Sequence, residues 1–151
     1  MTKSKTDAIH KQLVLKAPLS RVWQAISNAE QFGAWFGAKL RGELVAGATV
    51  TCTLAFQGKE LTMPLWVDRI EPERLVAFRW HPFAVDPAVD YTQEPTTLVE
   101  LAIEPTPEGT LLTVTESGFD QIPEARRARA FEMNTGGWAA QLDNIARHVG
   151  A

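Results

Sequence analysis

The middle of the chain alternates apolar and polar residues in a way that predicts a β-sheet. Between residues 49 and 117, apolar side chains recur at every second position, in segments separated by short turns. The clearest row alternates with threonines and comprises Val50, Cys52, Leu54 and Phe56. This period of two is that of a strand with one covered face, and short turns make neighbouring strands antiparallel. We predict a first strand at residues 8–16 and an antiparallel meander later, about six or seven strands in all, with Pro64 marking a bulge or a sheet edge.

Two short helices are predicted between the first strand and the meander. Pro18 ends the strand, and apolar residues then follow helical spacing over residues 18–27 and again over residues 28–37. Ser20 is a candidate N-cap of the first of these helices because its side-chain oxygen can accept a hydrogen bond from a free backbone N–H. This segment should form an elbow of two helices.

A long C-terminal helix is predicted from Pro123 to about Val149. Its apolar residues recur at intervals of seven, four, three and four, and they are Phe131, Trp138, Leu142, Ile145 and Val149. Gly136 and Gly137 stand in the middle of this stripe, where glycine weakens a helix. Their presence predicts a kink, a close approach of the backbone to another element, or space left for something else.

Composition and charge limit the class of protein. The chain has 151 residues, of which 45% are hydrophobic and 22% charged, as in an ordinary globular domain. The net charge of -3 argues against nucleic-acid partners and anionic membrane surfaces, and no apolar run approaches the ~20 residues of a membrane helix. Cys52 is the single cysteine, which predicts an inert core thiol and a cytoplasmic location. We expect a flexible tail over residues 1–7 and one domain over residues 8–151.

Four short motifs, in this order, resemble those of one protein family. They are Val22-Trp23 through Trp35-Phe36, then Pro72 with Leu75-Val76, Phe78 and Trp80, then Gly109-Thr110 through Glu116-Ser117-Gly118-Phe119, and last Gly137-Trp138 with Leu142 and Ile145. Together they resemble the heat-shock protein 90 ATPase activator homologue family of the C-terminal-domain type. The resemblance spans about residues 8–149.

The resemblance implies a fold more firmly than a function. It implies the α+β helix-grip fold of START-like domains and the birch-pollen-allergen superfamily, in which a curved antiparallel sheet wraps round a long C-terminal helix and leaves an apolar cavity. Relatives in that superfamily bind lipids or act as cyclases and aromatases on polyketides. The eukaryotic activators carry an additional N-terminal module, for which this chain has no room, so the sequence does not support chaperone contact.

Candidate ligand contacts are the apolar side chains expected to face the long helix. They are Phe56, Met63, Leu65, Phe78, Trp80 and Trp138. Ligand sites are mostly apolar with a few polar anchors, so these residues could line a pocket. The alternative is that they form an ordinary packed core.

Two titratable residues are candidates for chemistry. Glu116 is in phase with the apolar residues of its strand and should face inward, either as an anchor or general acid/base for a ligand, or as a strand-end carboxylate tied to an arginine or a backbone N–H. His81 could shuttle protons at the pocket mouth or simply end a strand at the rim. It opens a long loop (residues 81–96) on which Asp86, Asp90 and Tyr91 could form a polar lid or stay solvated.

Other chemistry finds little support in the sequence. The three histidines and Cys52 are scattered without metal-ligand spacing, and no cofactor motif is present. Arg126, Arg127 and Arg129 are expected on a solvated helix face or in salt bridges. The favoured hypothesis is that the domain binds a small apolar molecule, gated by the long loop. The alternatives are a cyclase or dehydratase that uses Glu116 and His81, and an interaction or stress-associated module that meets a partner or forms a homodimer.

Overall fold

The computed structural model describes residues 4–86 and 88–150; Met1, Thr2, Lys3, Pro87 and Ala151 lie outside the described residues. The chain order of its elements is β1 (Ala8–Leu15), α1 (Leu19–Ser27), α2 (Ala29–Phe36), β2 (Ala38–Arg41), β3 (Thr49–Phe56), β4 (Lys59–Glu71), β5 (Leu75–Trp80), β6 (Thr97–Thr106), β7 (Gly109–Ser117), a 3-10 turn (Phe119–Gln121) and α3 (Glu124–Val149).

The strands form one sheet in the order β1-β7-β6-β5-β4-β3-β2, and every neighbouring pair is antiparallel. β1 and β2 therefore lie at opposite edges, and α1 and α2 carry the chain from one edge to the other. This arrangement confirms the predicted α+β helix-grip fold. None of the helices in the described residues has a stretch that is both long and apolar enough to cross a membrane.

The residues at the ends of the two short helices explain where these helices begin and end, but the predicted N-cap of the first helix is corrected. Pro18 is the N-cap of α1, and Ser20 lies inside the first turn, so the predicted side-chain cap is wrong. Asn28 caps α2 by accepting a hydrogen bond from the Gln31 backbone N–H at 3.0 Å. A Cβ on Gly33 would come within 2.4 Å of the Ala38 carbonyl oxygen, so glycine is what lets α2 pack against β2.

Two details of the sheet bear on the predicted strands. β2 was not predicted as a strand, because four residues are too few to establish a period of two. Pro64 lies in β4, opposite Thr51 of β3 and without a bulge, in a stretch (residues 59–65) for which the described ladder with β5 has no partner, so the sheet-edge alternative fits. The register of β4 shifts three residues later instead, between Val67 and Arg69.

The long helix α3 has 26 residues, so it is about 39 Å long. Its predicted stripe faces the sheet: Trp138, Leu142, Ile145 and Val149 are buried, while Phe131 is half-buried. The helix continues through Gly136 and Gly137. A Cβ at either glycine would meet no atom within 4 Å, so the predicted close approach is wrong and both glycines border open space.

The N-terminal segment that precedes β1 packs against the 3-10 turn. The backbone N–H of Ser4 donates to the Asp120 carboxylate at 3.0 Å, and Asp7 is buried. The Asp7 carboxylate accepts a hydrogen bond from the backbone N–H of Asp120. The backbone carbonyl of Asp7 accepts hydrogen bonds from the backbone N–H groups of Gly118 and Phe119. Ser4 to Asp7, which were predicted as part of a flexible tail, are therefore held by hydrogen bonds.

Candidate ligand-binding site

A pocket of about 450 Å³ opens between α3, the end of α2, the concave side of the sheet and the long loop. Its wall is mostly apolar and aromatic and consists of Phe36, Leu54, Phe56, Met63, Trp80, His81, Phe83, Ala84, Val85, Glu132, Met133, Asn134, Gly136, Gly137 and Gln141. This volume lies within the ~300–1,000 Å³ of small-molecule sites. We call it the main pocket.

Of the predicted lining residues, Phe56, Met63 and Trp80 lie on the wall of the main pocket. Leu65, Phe78 and Trp138 do not, and each is at most 3% exposed. All three pack among the buried hydrophobic residues; the Phe78 ring, for example, packs edge-on against Phe32 of α2 at 6.2 Å. They belong to the packed core, which was the alternative interpretation.

Glu116 is fully buried on β7, as its phase in the strand predicted. Its Oε2 accepts hydrogen bonds from the indole N–H of Trp80 at 2.8 Å and from the Thr97 hydroxyl at 2.6 Å. Its Oε1 accepts one from the indole N–H of Trp138 at 2.8 Å. The Asn134 amide NH₂ lies 3.1 Å from both oxygens. We call these five residues the Glu116 network.

Sheet and helix geometry together assemble this network. Trp80, Thr97 and Glu116 come from three neighbouring strands, with Trp80 paired to Thr97 and Glu116 paired to Val99. Asn134 and Trp138 are four residues apart on α3, so they project from the same helix face. Every partner of the carboxylate is a donor, and indole N–H groups can only donate.

This environment corrects both interpretations of Glu116. The carboxylate does not lie on the wall of the main pocket, and its oxygens are already occupied by donors from within the protein. Among the described residues, its partners are also neither an arginine nor a backbone N–H. The sequence analysis missed Asn134 and Thr97, although each had a signal: Thr97 is in phase with the apolar row of β6, and Asn134 lies one turn before Trp138.

His81 follows β5 directly and lies on the wall of the main pocket, but it is buried rather than at an open rim. The Trp66 ring packs edge-on against it at 5.4 Å, and its Nδ1 has no hydrogen-bond partner among the described residues. Burial lowers the pKa of the imidazole, while a hydrogen bond to the Pro95 carbonyl and the nearby Glu94 carboxylate act in the opposite direction. The ring therefore favours its neutral form.

The long loop forms one wall of the main pocket with apolar residues, not with its acids. Phe83, Ala84 and Val85 face the pocket. The acids hydrogen-bond within the loop instead: the Asp86 carboxylate accepts from the Ala88 N–H, and the Asp90 carboxylate accepts from Thr92. Asp86 and Asp90 are both exposed, so the solvated alternative fits these acids and the polar lid does not.

Arg126 of α3 holds the long loop in place. Its guanidinium donates to the Glu94 carboxylate at 2.6 Å and to the Pro82 carbonyl at 2.7 Å, and it lies over the Tyr91 ring at 4.8 Å. The Arg126 and Glu94 side chains are each only 19% exposed. Of the two predicted alternatives, a solvated face or a salt bridge, the salt bridge holds for this arginine, because the loop folds back over its side chain.

The described residues contain no cluster of histidine, cysteine, aspartate or glutamate side chains that would hold a metal ion. Cys52 is fully buried, and burial raises the pKa of its thiol to about 11. Such a thiol is not a nucleophile at neutral pH, as the sequence analysis expected.

Solved bacterial structures share this fold over nearly the whole chain. A protein from Arthrobacter aurescens superposes with a TM-score of 0.78 at 16% identity, covering 98% of this chain and 89% of its own. A protein from Mesorhizobium loti gives 0.73 at 19% identity, with 93% and 95% covered. A putative protein of the dynemicin biosynthetic locus gives 0.70 at 25% identity; it covers 94% of this chain, which spans only 46% of that protein.

Sequence comparison identifies the family. No curated protein matches the chain significantly. The sequence model described as "Activator of Hsp90 ATPase homolog 1-like protein" matches residues 16–150, which include α1, α2, the six strands from β2 to β7, and α3. The chain therefore belongs to the Activator of Hsp90 ATPase homolog 1-like family.

Proposed function

We propose that this domain binds a small, mostly apolar molecule in the main pocket. The observation that carries the proposal is a contrast along α3. Beneath its C-terminal half, the gap bordered by Leu101, Leu142 and Ile145 has no room for a water molecule. Beside the middle of the helix, where residues of the stretch 132–141 line it, lies the 450 Å³ pocket.

The lining supports an apolar occupant. Rings from the strands, from α2 and from the long loop surround the pocket, including Phe36, Phe56, Trp80 and Phe83. An open apolar pocket in water is unfavourable unless an occupant covers its wall, because apolar surface gains roughly 25 cal/mol per Å² when it is removed from water. A ligand with an apolar body would supply that gain.

An enzyme of the cyclase or dehydratase type is less well supported. Glu116, the residue expected to move protons, lies behind the wall of the main pocket with its oxygens occupied by donors. The neutral His81 ring and the exposed Glu132 are the remaining titratable groups on that wall. Pairing with a partner protein or with a second copy stays a prediction, as does a cytoplasmic location.

The test is a titration with Nile red, a neutral dye whose fluorescence increases in apolar surroundings. Gly137 lies on the pocket wall between Met133 and Gln141, which are its neighbours four residues away on α3. Gly137→Leu should fill part of the pocket while raising helix propensity by about 0.8 kcal/mol. Ala139→Leu is the matched control, because residue 139 is exposed, is not on the pocket wall and lies about 200° round the helix from residue 137.

We expect saturable binding to the wild type and to Ala139→Leu, and a loss of at least tenfold in affinity for Gly137→Leu. Native mass spectrometry of the freshly purified protein should also show an additional mass that disappears after denaturing extraction. Absence of saturable binding to the wild type would refute the proposal. Equal affinity of a folded Gly137→Leu variant would place the binding elsewhere.

A further inference from the structure

The Asn134 amide is fixed in one orientation by its neighbours. Its NH₂ group lies 3.1 Å from each oxygen of Glu116, which can only accept from it as a carboxylate. Turning the amide over would place its own oxygen against the carboxylate, so the flipped orientation is disfavoured. The carbonyl oxygen Oδ1 therefore points away from Glu116.

That oxygen is available to a ligand. Asn134 lies on the wall of the main pocket, and its Oδ1 accepts no hydrogen bond within the described part of the chain. Although Oδ1 has no partner in this part of the chain, it is not fully buried, so a ligand or a water molecule can reach it. The other amide on the wall, Gln141, already donates to the Phe36 carbonyl and accepts from Asn144.

The charges around the pocket disfavour an anion. Within residues 4–86 and 88–150, no lysine or arginine lies on the wall, and Glu132 adds a carboxylate there. Arg126 is paired with Glu94, and the Arg129 guanidinium lies over the Phe83 ring at 5.8 Å. A carboxylate buried in this pocket would lose its hydration without gaining a cationic partner.

We propose that Asn134 determines the specificity of this pocket, and that its ligand is an uncharged apolar molecule carrying an O–H or N–H donor that bonds to Asn134 Oδ1. Glu116 is then a positioning residue, which acts on the ligand through the Asn134 amide. This inference rests on the proposed function, because it requires that the main pocket binds a ligand.

Three probes that share one ring system separate these features. They are 2-naphthol, which carries a hydroxyl donor, 2-methoxynaphthalene, which carries none, and 2-naphthoate, which is an anion. Isothermal titration calorimetry at pH 7 should give 2-naphthol a roughly three- to tenfold higher affinity than 2-methoxynaphthalene, as expected for one hydrogen bond. The affinity for 2-naphthoate should be lower than for both.

Two variants assign the preference to residues. Asn134→Leu should bind the two neutral probes equally, while Asp143→Leu, a change of an exposed polar residue on α3 outside the pocket wall, should keep the preference for 2-naphthol. Glu116→Gln should weaken the preference, because its amide can also donate to a flipped Asn134; a purely structural role of Glu116 would change both affinities together. If Glu116→Gln does not fold, the Asn134→Leu result decides.

The outcomes separate this inference from the proposed function. If neither Nile red nor any naphthalene probe binds the wild type, the proposed function fails. If 2-methoxynaphthalene binds as tightly as 2-naphthol, or 2-naphthoate binds most tightly, the pocket is a binding site but the specificity inference is wrong. A preference for 2-naphthol that persists in Asn134→Leu would equally overturn the role of Asn134.

Discussion

Replacing Glu116 by glutamine should destabilise the domain by about 2–4 kcal/mol. The carboxylate serves the two buried indoles of Trp80 and Trp138 and the buried Thr97 hydroxyl. Glutamine keeps one acceptor oxygen and turns an NH₂ donor toward the other donors, so at least one indole N–H loses its partner, which costs about 1–3 kcal/mol. The remaining bonds change from charge-assisted to neutral, which removes about 1 kcal/mol more. Glu116→Leu removes both acceptors and should cost about 2–6 kcal/mol.

Urea denaturation followed by far-UV circular dichroism measures these losses, because a domain of this size is stable by about 5–15 kcal/mol and should remain folded in the weaker variant. Glu104→Gln is the matched control: Glu104 lies on β6 and is exposed, so its change should stay within about 0.5 kcal/mol of the wild type. Trp138→Phe removes one donor, so the penalty of Glu116→Gln should shrink in that background. A Glu116→Gln variant as stable as Glu104→Gln would refute the structural role of the network.

Three further predictions concern other residues. Burial lowers the pKa of His81 from its usual value of 6.5, so the unfolded chain binds a proton at higher pH than the folded one; the free energy of unfolding should fall as pH drops below about 6.5, and His81→Gln should lessen that fall. Arg126→Gln should speed limited proteolysis within the long loop and cost about 1–3 kcal/mol, because the bonds to Glu94 and Pro82 are lost, with Arg147→Gln as an unaffected control. Cys52 should react with an aromatic disulfide reagent at pH 7.5 at least a hundredfold faster in urea than in the folded protein, since burial raises its pKa from 9.0 to about 11; equal rates would contradict its burial.

The parts of the fold that follow from local periodicity were predictable. The stripe that includes Trp138, Leu142 and Ile145 defines α3, and the alternation over residues 49–117 defines most of the sheet. Periodicity also placed Glu116 inward, because strand phase depends only on residues two positions apart. It did not reveal β2, whose four residues are too few to show a period.

The division between core and pocket was not predictable in the same way. Phe78 and Trp80 share one face of β5, yet only Trp80 borders the main pocket, because α2 packs over the Phe78 end of the strand through Phe32. Arg126 is a comparable case: its partner Glu94 is 32 residues away in sequence. No strand or helix period carries information about such contacts between elements.

The Glu116 network and the main pocket are two consequences of how α3 meets the sheet. C-terminal to the network, apolar side chains such as Leu142 and Ile145 pack α3 closely against the sheet. At the network, the two indoles and Asn134 must hold a geometry that satisfies one buried carboxylate, which fixes the position of the helix at Trp138 and Asn134. Immediately beside it, Gly136 and Gly137 present no side chains to fill the space. The pocket therefore opens where a rigid polar contact gives way to missing side chains, and Asn134 belongs to both: its NH₂ completes the network, and its carbonyl oxygen is the acceptor that we propose for a ligand.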